Sequence, residues 1–412
     1  MLIQNKQAGR TAYPDDLRAV MSIQEAEQSR RWLSHWPLLN RAATPLWRLS
    51  GLARRLGVAR ISIKDESTRS ELGSFKALGA PVALVRLILR ETADAALTAE
   101  GLFLGRHAQA LRDFTVISAT DGNHGRALAA AARDIGCRCV IVLHHNVSVE
   151  RETSIARYGA EIIRIEGNYD ASVQVAAERA AENGWHVVSD TSYDGYETVP
   201  RDVMQGYGTI AAELIARENE ADQAESPYTH VFLQGGVGGL AAGIVSYLWE
   251  HYGAQRPAFI VVEPAQADCL FQSALQGCAA RATGSVDSVM AGLACGDTSP
   301  LAWRFLAPAV DFFQTIGDDD AVAAMRLLAA GGNGDVPVVG GESGVAGLAG
   351  LLNIARSTQL REQVGLNAGA RILLINTEGA TAPSIYASLA GSSADAVLAN
   401  QKHWLEQSAS RR

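Results

Sequence analysis

Four segments of this 412-residue chain have the residue types and spacing to do chemistry. The first is Ser74-Phe75-Lys76-Ala77-Leu78-Gly79-Ala80, where Lys76 follows the turn-prone Gly73 and opens a helix of small and apolar residues. Partial burial there disfavours an ammonium and lowers its pKa, giving the free amine that imine formation with an aldehyde requires. A lysine snorkelling off an amphipathic helix is the commoner fate of this residue type, so the neighbouring motifs must decide. The second is Thr120-Asp121-Gly122-Asn123-His124-Gly125, with glycines that let backbone approach a ligand and an asparagine that both donates and accepts. Its plain alternative is a turn in which Asp121 caps a helix. The third is Ser189-Asp190-Thr191-Ser192-Tyr193-Asp194-Gly195-Tyr196-Glu197, which sets Asp190 just past a strand; Asp194 and Glu197 read as polar loop. The fourth, Gln234-Gly235-Gly236-Val237-Gly238-Gly239-Leu240, offers backbone N–H groups and a helix N-terminus to a phosphate. The same glycines, as Gly236-x-Gly238-x-x-Ala241 with Glu263 ending the next strand, also fit a dinucleotide fingerprint and an NAD-dependent oxidoreductase. That rival leaves Lys76 and the Asp121 loop without roles. Two further loops, Gly340-Gly341-Glu342-Ser343-Gly344 and Asn376-Thr377-Glu378-Gly379-Ala380-Thr381, pair glycines with hydroxyls. A hydroxyl set against a pyridine nitrogen leaves that nitrogen unprotonated or weakly hydrogen-bonded.

Elements that could position these loops alternate along the chain. Strands are expected at Phe114–Ala119, Cys139–Leu143, Glu161–Ile165, His186–Ser189, Val231–Leu233, Phe259–Val262 and Arg371–Asn376, with helices between them at Arg126–Ile135, Glu150–Tyr158, Asp170–Asn183 and Leu240–His251. This rhythm predicts an α/β protein with doubly wound parallel sheets covered on both faces. The length argues for two domains. The stretches 89–111 and 195–205 read as passages, giving a smaller domain at 92–202 inserted into a larger one made of 1–91 and 203–412. The longest uncharged stretch, Val231–Trp249, is long enough to span a bilayer, but its glycines and its strand-like first half argue for a buried strand, turn and helix. A net charge of -8 argues against nucleic acid and anionic membranes as partners. The start of the chain has no apolar run suited to a signal peptide, so a cytoplasmic protein is expected. Neither the five cysteines nor the nine histidines have metal-site spacing, and no metal is expected.

Taken together these segments resemble the pyridoxal-phosphate enzymes of fold type II, which include threonine and serine dehydratases, serine racemase and tryptophan synthase β. Within them the chain is most similar to the diaminopropionate ammonia-lyases. The likeness rests on Lys64-Asp65-Glu66-Ser67, Phe75-Lys76-Ala77-Leu78-Gly79, the loop from Ala119 to Arg126, Gly195-Tyr196-Glu197, Met204-Gln205-Gly206-Tyr207-Gly208-Thr209, Met290–Gly296, Gly341–Gly344 and Thr377-Glu378-Gly379. Aspartate at 121 separates it from the dehydratases, which use serine there. Ser74, Gly239 and Tyr193 depart from the family's asparagine, serine and tryptophan. The resemblance implies pyridoxal 5'-phosphate bound to Lys76, with its phosphate on Gly236, Val237, Gly238, Gly239 and Leu240. It also implies Asn123 at the ring hydroxyl, Thr377 rather than Thr381 at the ring nitrogen, and Glu342 at the pocket. Lys76 would take the α-proton of the L-substrate and Asp121 that of the D-isomer, while Asp190 holds the distal ammonium. The implied reaction is α,β-elimination of 2,3-diaminopropionate to pyruvate and two ammonia by a homodimer acting on a small amino acid. A serine or threonine dehydratase of the same fold, and an idle binding homologue, are the alternatives. Cys269 and Cys295 match a cysteine pair that can bridge in this family, although a reducing compartment favours free thiols.

Overall fold

The computed structural model describes every residue except 93–95, 121, 168, 219–225 and 411–412. Its strands are β1 (Leu2–Gln4), β2 (Leu46–Arg48), β3 (Arg60–Asp65), β4 (Thr115–Ala119), β5 (Arg138–His144), β6 (Glu161–Ile165), β7 (His186–Val187), β8 (His230–Gln234), β9 (Ala258–Pro264), β10 (Phe312–Ile316) and β11 (Arg371–Asn376). They form a seven-stranded sheet in the order β1-β10-β9-β8-β11-β3-β2 and a four-stranded sheet in the order β6-β5-β4-β7. The smaller sheet is wholly parallel. In the larger one the five inner strands are parallel, but β1 runs antiparallel to β10 and β2 antiparallel to β3. Apart from these two edge strands the sheets are parallel, as expected. Each edge strand has three residues, too few for an alternating pattern to register.

The inner strands β8 and β9 are mostly apolar because helices cover both faces, leaving no solvent side on which polar residues could alternate. β8 is buried along its length, and β9 along all but its first residue. The uncharged stretch 231–249 resolves into β8, a glycine turn and the helix Gly239–Tyr252. No helix among the described residues is long and apolar enough to cross a membrane.

A correction concerns the passage expected at 195–205. One helix, Thr198–Glu218, runs through it and across the 202/203 boundary. Val203, Met204, Tyr207, Ile210, Ala211 and Leu214 recur at helical spacing and are buried. They pack this helix against Ile23–Leu33, Ala80–Glu91 and Gly239–Tyr252. Gly206 lets it press onto the segment that carries Lys76, since a Cβ there would lie 2.0 Å from the Leu78 carbonyl oxygen.

Candidate active site

The carboxyl ends of strands from both sheets open onto one cleft, as expected for parallel α/β sheets. Residues 119–124 follow β4, Asp190 follows β7, 234–240 follow β8 and 377–381 follow β11; all four segments contribute to the lining. With its solvent mouth the cleft encloses about 1180 Å³ of empty volume.

Lys76 lies on a 3-10 turn, Phe75–Leu78, rather than at the head of an α-helix. Backbone bonds pin this turn to the end of β11: Phe75 N donates to Thr377 O (3.0 Å) and Gly379 N to Gly73 O (2.9 Å). The Nζ atom stands 5.0 Å from the Phe75 ring centroid and 5.7 Å from that of Tyr207, and it makes an ion pair with Asp190. Burial works against the ammonium, but the Asp190 carboxylate outweighs it and raises the lysine above its ordinary value. Burial likewise opposes the carboxylate of Asp190, yet Lys76 holds it well below the usual range. Expected as a free amine from its apolar neighbours, Lys76 is therefore an ammonium here. The cause is a partner 114 positions along the chain, delivered by the other sheet.

His124 is buried behind this pair. Its Nε2 lies 2.9 Å from the Val188 carbonyl and its Nδ1 3.8 Å from Asp190 Oδ2. Burial lowers its pKa, so it is the neutral ring, with the proton placed on Nε2 by its carbonyl partner. Asn123 donates through Nδ2 to Glu378 Oε2 (2.5 Å) and accepts at Oδ1 from Arg126 (3.1 Å). Glu378 Oε1 in turn accepts from Ser343 N at 3.1 Å. Thr377 and Thr381 both line the cleft, and the Thr381 hydroxyl leans toward Glu378 Oε2 at 3.5 Å. Asp121 lies outside the described residues.

Gly236, Val237, Gly238, Gly239 and Leu240 line the far end of the cleft. Gln234 fixes their approach by donating through Nε2 to Gly344 O and Ile375 O, both at 2.7 Å. The helix that follows starts from Gly238, whose φ of 103° a side-chain-bearing residue would rarely adopt, and no side chain caps it. Its first N–H groups have no intrahelical acceptor and carry the positive end of the helix dipole. A Cβ on Gly236 would meet Cys295 Sγ at 3.3 Å, so the loop has backbone, not side chains, to offer a ligand. That donor set suits a phosphate monoester.

Glu263 disposes of the dinucleotide reading. It is fully buried, and its carboxylate accepts from Leu270 N (2.8 Å) and Phe271 N (2.7 Å), capping the helix Cys269–Gln276. A carboxylate so engaged, held well above its usual pKa by burial, cannot reach a ribose. Glu342 stands behind the cleft wall at 1% exposure and accepts from Arg151 at 3.1 Å. Burial and the nearby Glu378 push its pKa up to about 7, against the pull of Arg151. Cys269 and Cys295 are not joined in a disulfide. Tyr207, Arg151, His124, Glu378 and Ser343 also line the cleft, with no role legible from their own stretches of sequence. Gly206 and Gly208 on either side of Tyr207 were the one local signal, marking a helix packed closely on its neighbours.

A lysine, an uncapped glycine-led helix and a ring of polar strand ends facing one cleft define an α/β enzyme built around a phosphorylated aldehyde. Residues 38–378 match the family of pyridoxal-phosphate dependent enzymes, and the chain belongs to that family. It is 37% identical over 366 residues to the diaminopropionate ammonia-lyase of Escherichia coli (strain K12), covering 88% of this chain and 90% of that protein. The corresponding lyase of Salmonella typhimurium is 38% identical over 365 residues, 85% of this chain and 89% of its own. The crystal structure of the Escherichia coli lyase in complex with an aminoacrylate-PLP azomethine reaction intermediate superposes with a TM-score of 0.84 at 34% identity, covering 95% and 96% of the two chains.

Proposed function

We propose that this chain is a diaminopropionate ammonia-lyase, converting 2,3-diaminopropionate and water to pyruvate and two ammonia. The observation that carries this reading is the ammonium already seated on Asp190, in a cleft whose other end is a phosphate cradle. Lys76 would hold pyridoxal phosphate through Nζ, the N–H groups of 236–240 its phosphate, Asn123 its ring hydroxyl and Thr377 its ring nitrogen. Thr377 is favoured over Thr381 because the latter's hydroxyl faces Glu378. The cofactor, when bound, supplies an electron sink for charge left at the substrate α-carbon.

The chain's own residues then divide the remaining work. Lys76 Nζ, once it no longer carries the charge that pairs with Asp190, leaves that carboxylate open to the substrate's 3-ammonium. As a neutral amine Lys76 takes the α-proton of the L-isomer; Asp121 would do so for the D-isomer. Holding the 3-nitrogen as an ammonium lets it depart as neutral ammonia without a further acid. Serine would place a neutral hydroxyl beside Asp190 and leave the carboxylate unpaired, which disfavours the dehydratase reading. The enzyme is proposed to be a cytoplasmic homodimer. Purified protein loaded with the cofactor should be yellow, and borohydride should bleach it and leave the pyridoxyl mass on Lys76. Pyruvate and ammonia should appear in a 1:2 ratio from diaminopropionate, faster than from serine or threonine. A Lys76→Ala variant that is equally tagged, or equal rates on all three substrates, would overturn the assignment.

A further inference from the structure

Among the described residues, one lysine and one arginine line the cleft, Lys76 and Arg151. Lys76 is committed to Asp190 and, in the proposed enzyme, to the cofactor. Arg151 projects from the helix Val149–Ala156, and its Cδ lies 3.6 Å from where a Cβ of Gly122 would stand. Its side chain is thus laid over the turn that opens the helix Asn123–Ile135, a helix with no side-chain cap. Its head is steadied by the buried Glu342, which takes one nitrogen, Nη2, at 3.1 Å. A guanidinium has five N–H donors arranged as a fork, so a single contact leaves capacity for a second carboxylate. An amino-acid substrate brings one carboxylate into this cleft, and its desolvation must be offset.

We infer that Arg151, steadied by Glu342, anchors the α-carboxylate of the substrate beside the first N–H groups of the helix Asn123–Ile135. The inference rests on the lyase reading and names the group that selects amino acids over amines. Its test uses cofactor-loaded wild type, Arg151→Gln and Arg151→Lys, titrated calorimetrically with 3-aminopropionate and with 3-aminopropionamide. Both probes carry the same amine, so any contact of that amine is common to them and the carboxylate alone differs. Arg151→Gln should weaken the acid about 10- to 150-fold, the range of a charge-assisted bond, and leave the amide within about twofold. Arg151→Lys keeps the charge but not the fork, so it should fall between and serves if the glutamine variant does not fold. On diaminopropionate the loss should sit in KM rather than kcat. Equal weakening of acid and amide, an unchanged acid, or loss of the visible cofactor absorbance in either variant would overturn the anchor. A wild type that prefers the acid through Arg151 yet releases no pyruvate from diaminopropionate would sink the lyase reading and leave the anchor standing.

Discussion

Replacing Asp190 by asparagine preserves the shape of the side chain and removes the charge that now holds the Lys76 ammonium. In the proposed enzyme that charge passes to the substrate's 3-ammonium, inside a cleft where the carboxylate is only 18% exposed. A hydrogen bond between charged groups contributes about 1.5–3 kcal/mol, so kcat/KM on diaminopropionate should fall roughly 10- to 150-fold. Serine presents a hydroxyl at the same place and loses no such bond; an asparagine beside it even relieves an unpaired carboxylate. The substitution also removes the partner that raises Lys76, leaving burial to lower its pKa. That effect acts on the enzyme before either substrate is chosen, so it cancels in the ratio of the two specificity constants. The quantity to measure is therefore the diaminopropionate-to-serine ratio of kcat/KM, from pyruvate release coupled to lactate dehydrogenase. It should drop by about the factor given above. Losses of equal size on both substrates would remove Asp190 from the distal-ammonium role.

Gly206→Ala would place a methyl 2.0 Å from the Leu78 carbonyl oxygen, and backbone on both sides leaves no flexible neighbour to yield. Overpacking of that kind costs about 1–3 kcal/mol, read as a lower urea midpoint. Because the displaced segment carries Lys76, cofactor should also wash out on dialysis; a variant as stable and as yellow as wild type would refute the packing account. Glu342 gives the pH dependence. Its folded-state pKa of about 7 lies above the ordinary 4.5, so the folded protein keeps a proton that the unfolded chain has lost. Stability from this group consequently falls as pH rises from about 4.5 to about 7 and then levels, by up to about 3 kcal/mol. Glu342→Gln has no proton to lose and should gain on wild type by urea denaturation across that window. A difference between the two that stays flat from about pH 5 to about pH 8 would contradict the shift.

Much of the fold was legible because buried parallel strands announce themselves as apolar runs. β8, β9 and β11 stand where Val231–Leu233, Phe259–Val262 and Arg371–Asn376 placed them, and β6 matches to the residue. The strands that escaped notice have polar residues inside. β3 reads Arg-Ile-Ser-Ile-Lys-Asp, yet Lys64 is buried because its Nζ donates to Glu213 Oε2 (2.5 Å) and Thr44 O (2.8 Å). Glu213 also holds Arg69, which pairs with Glu66, so two cations and two anions enter the interior together. β10 hides Gln314, whose amide donates to the Gly350 carbonyl. Such residues are interior only because of partners far along the chain, and no window on the sequence contains both halves.

The site was legible on the same terms. Residues whose chemistry depends on a local run, the lysine turn and the glycine loop, could be found from the runs; those whose chemistry depends on a distant partner could not. Lys76 shows both sides, since its neighbours mark it out while its protonation state is fixed by Asp190 across the cleft. That pairing explains how the site can stay ready without substrate. A bare carboxylate in the cleft would be costly to desolvate, and a bare buried ammonium equally so; together each offsets the other's cost. Diaminopropionate then substitutes one ammonium for another beside Asp190, leaving the charge count there unchanged. Serine cannot, because its hydroxyl is neutral and leaves that carboxylate without a cation. Discrimination between the two substrates is on this view set by charge conservation at one carboxylate, with the shape of the pocket secondary.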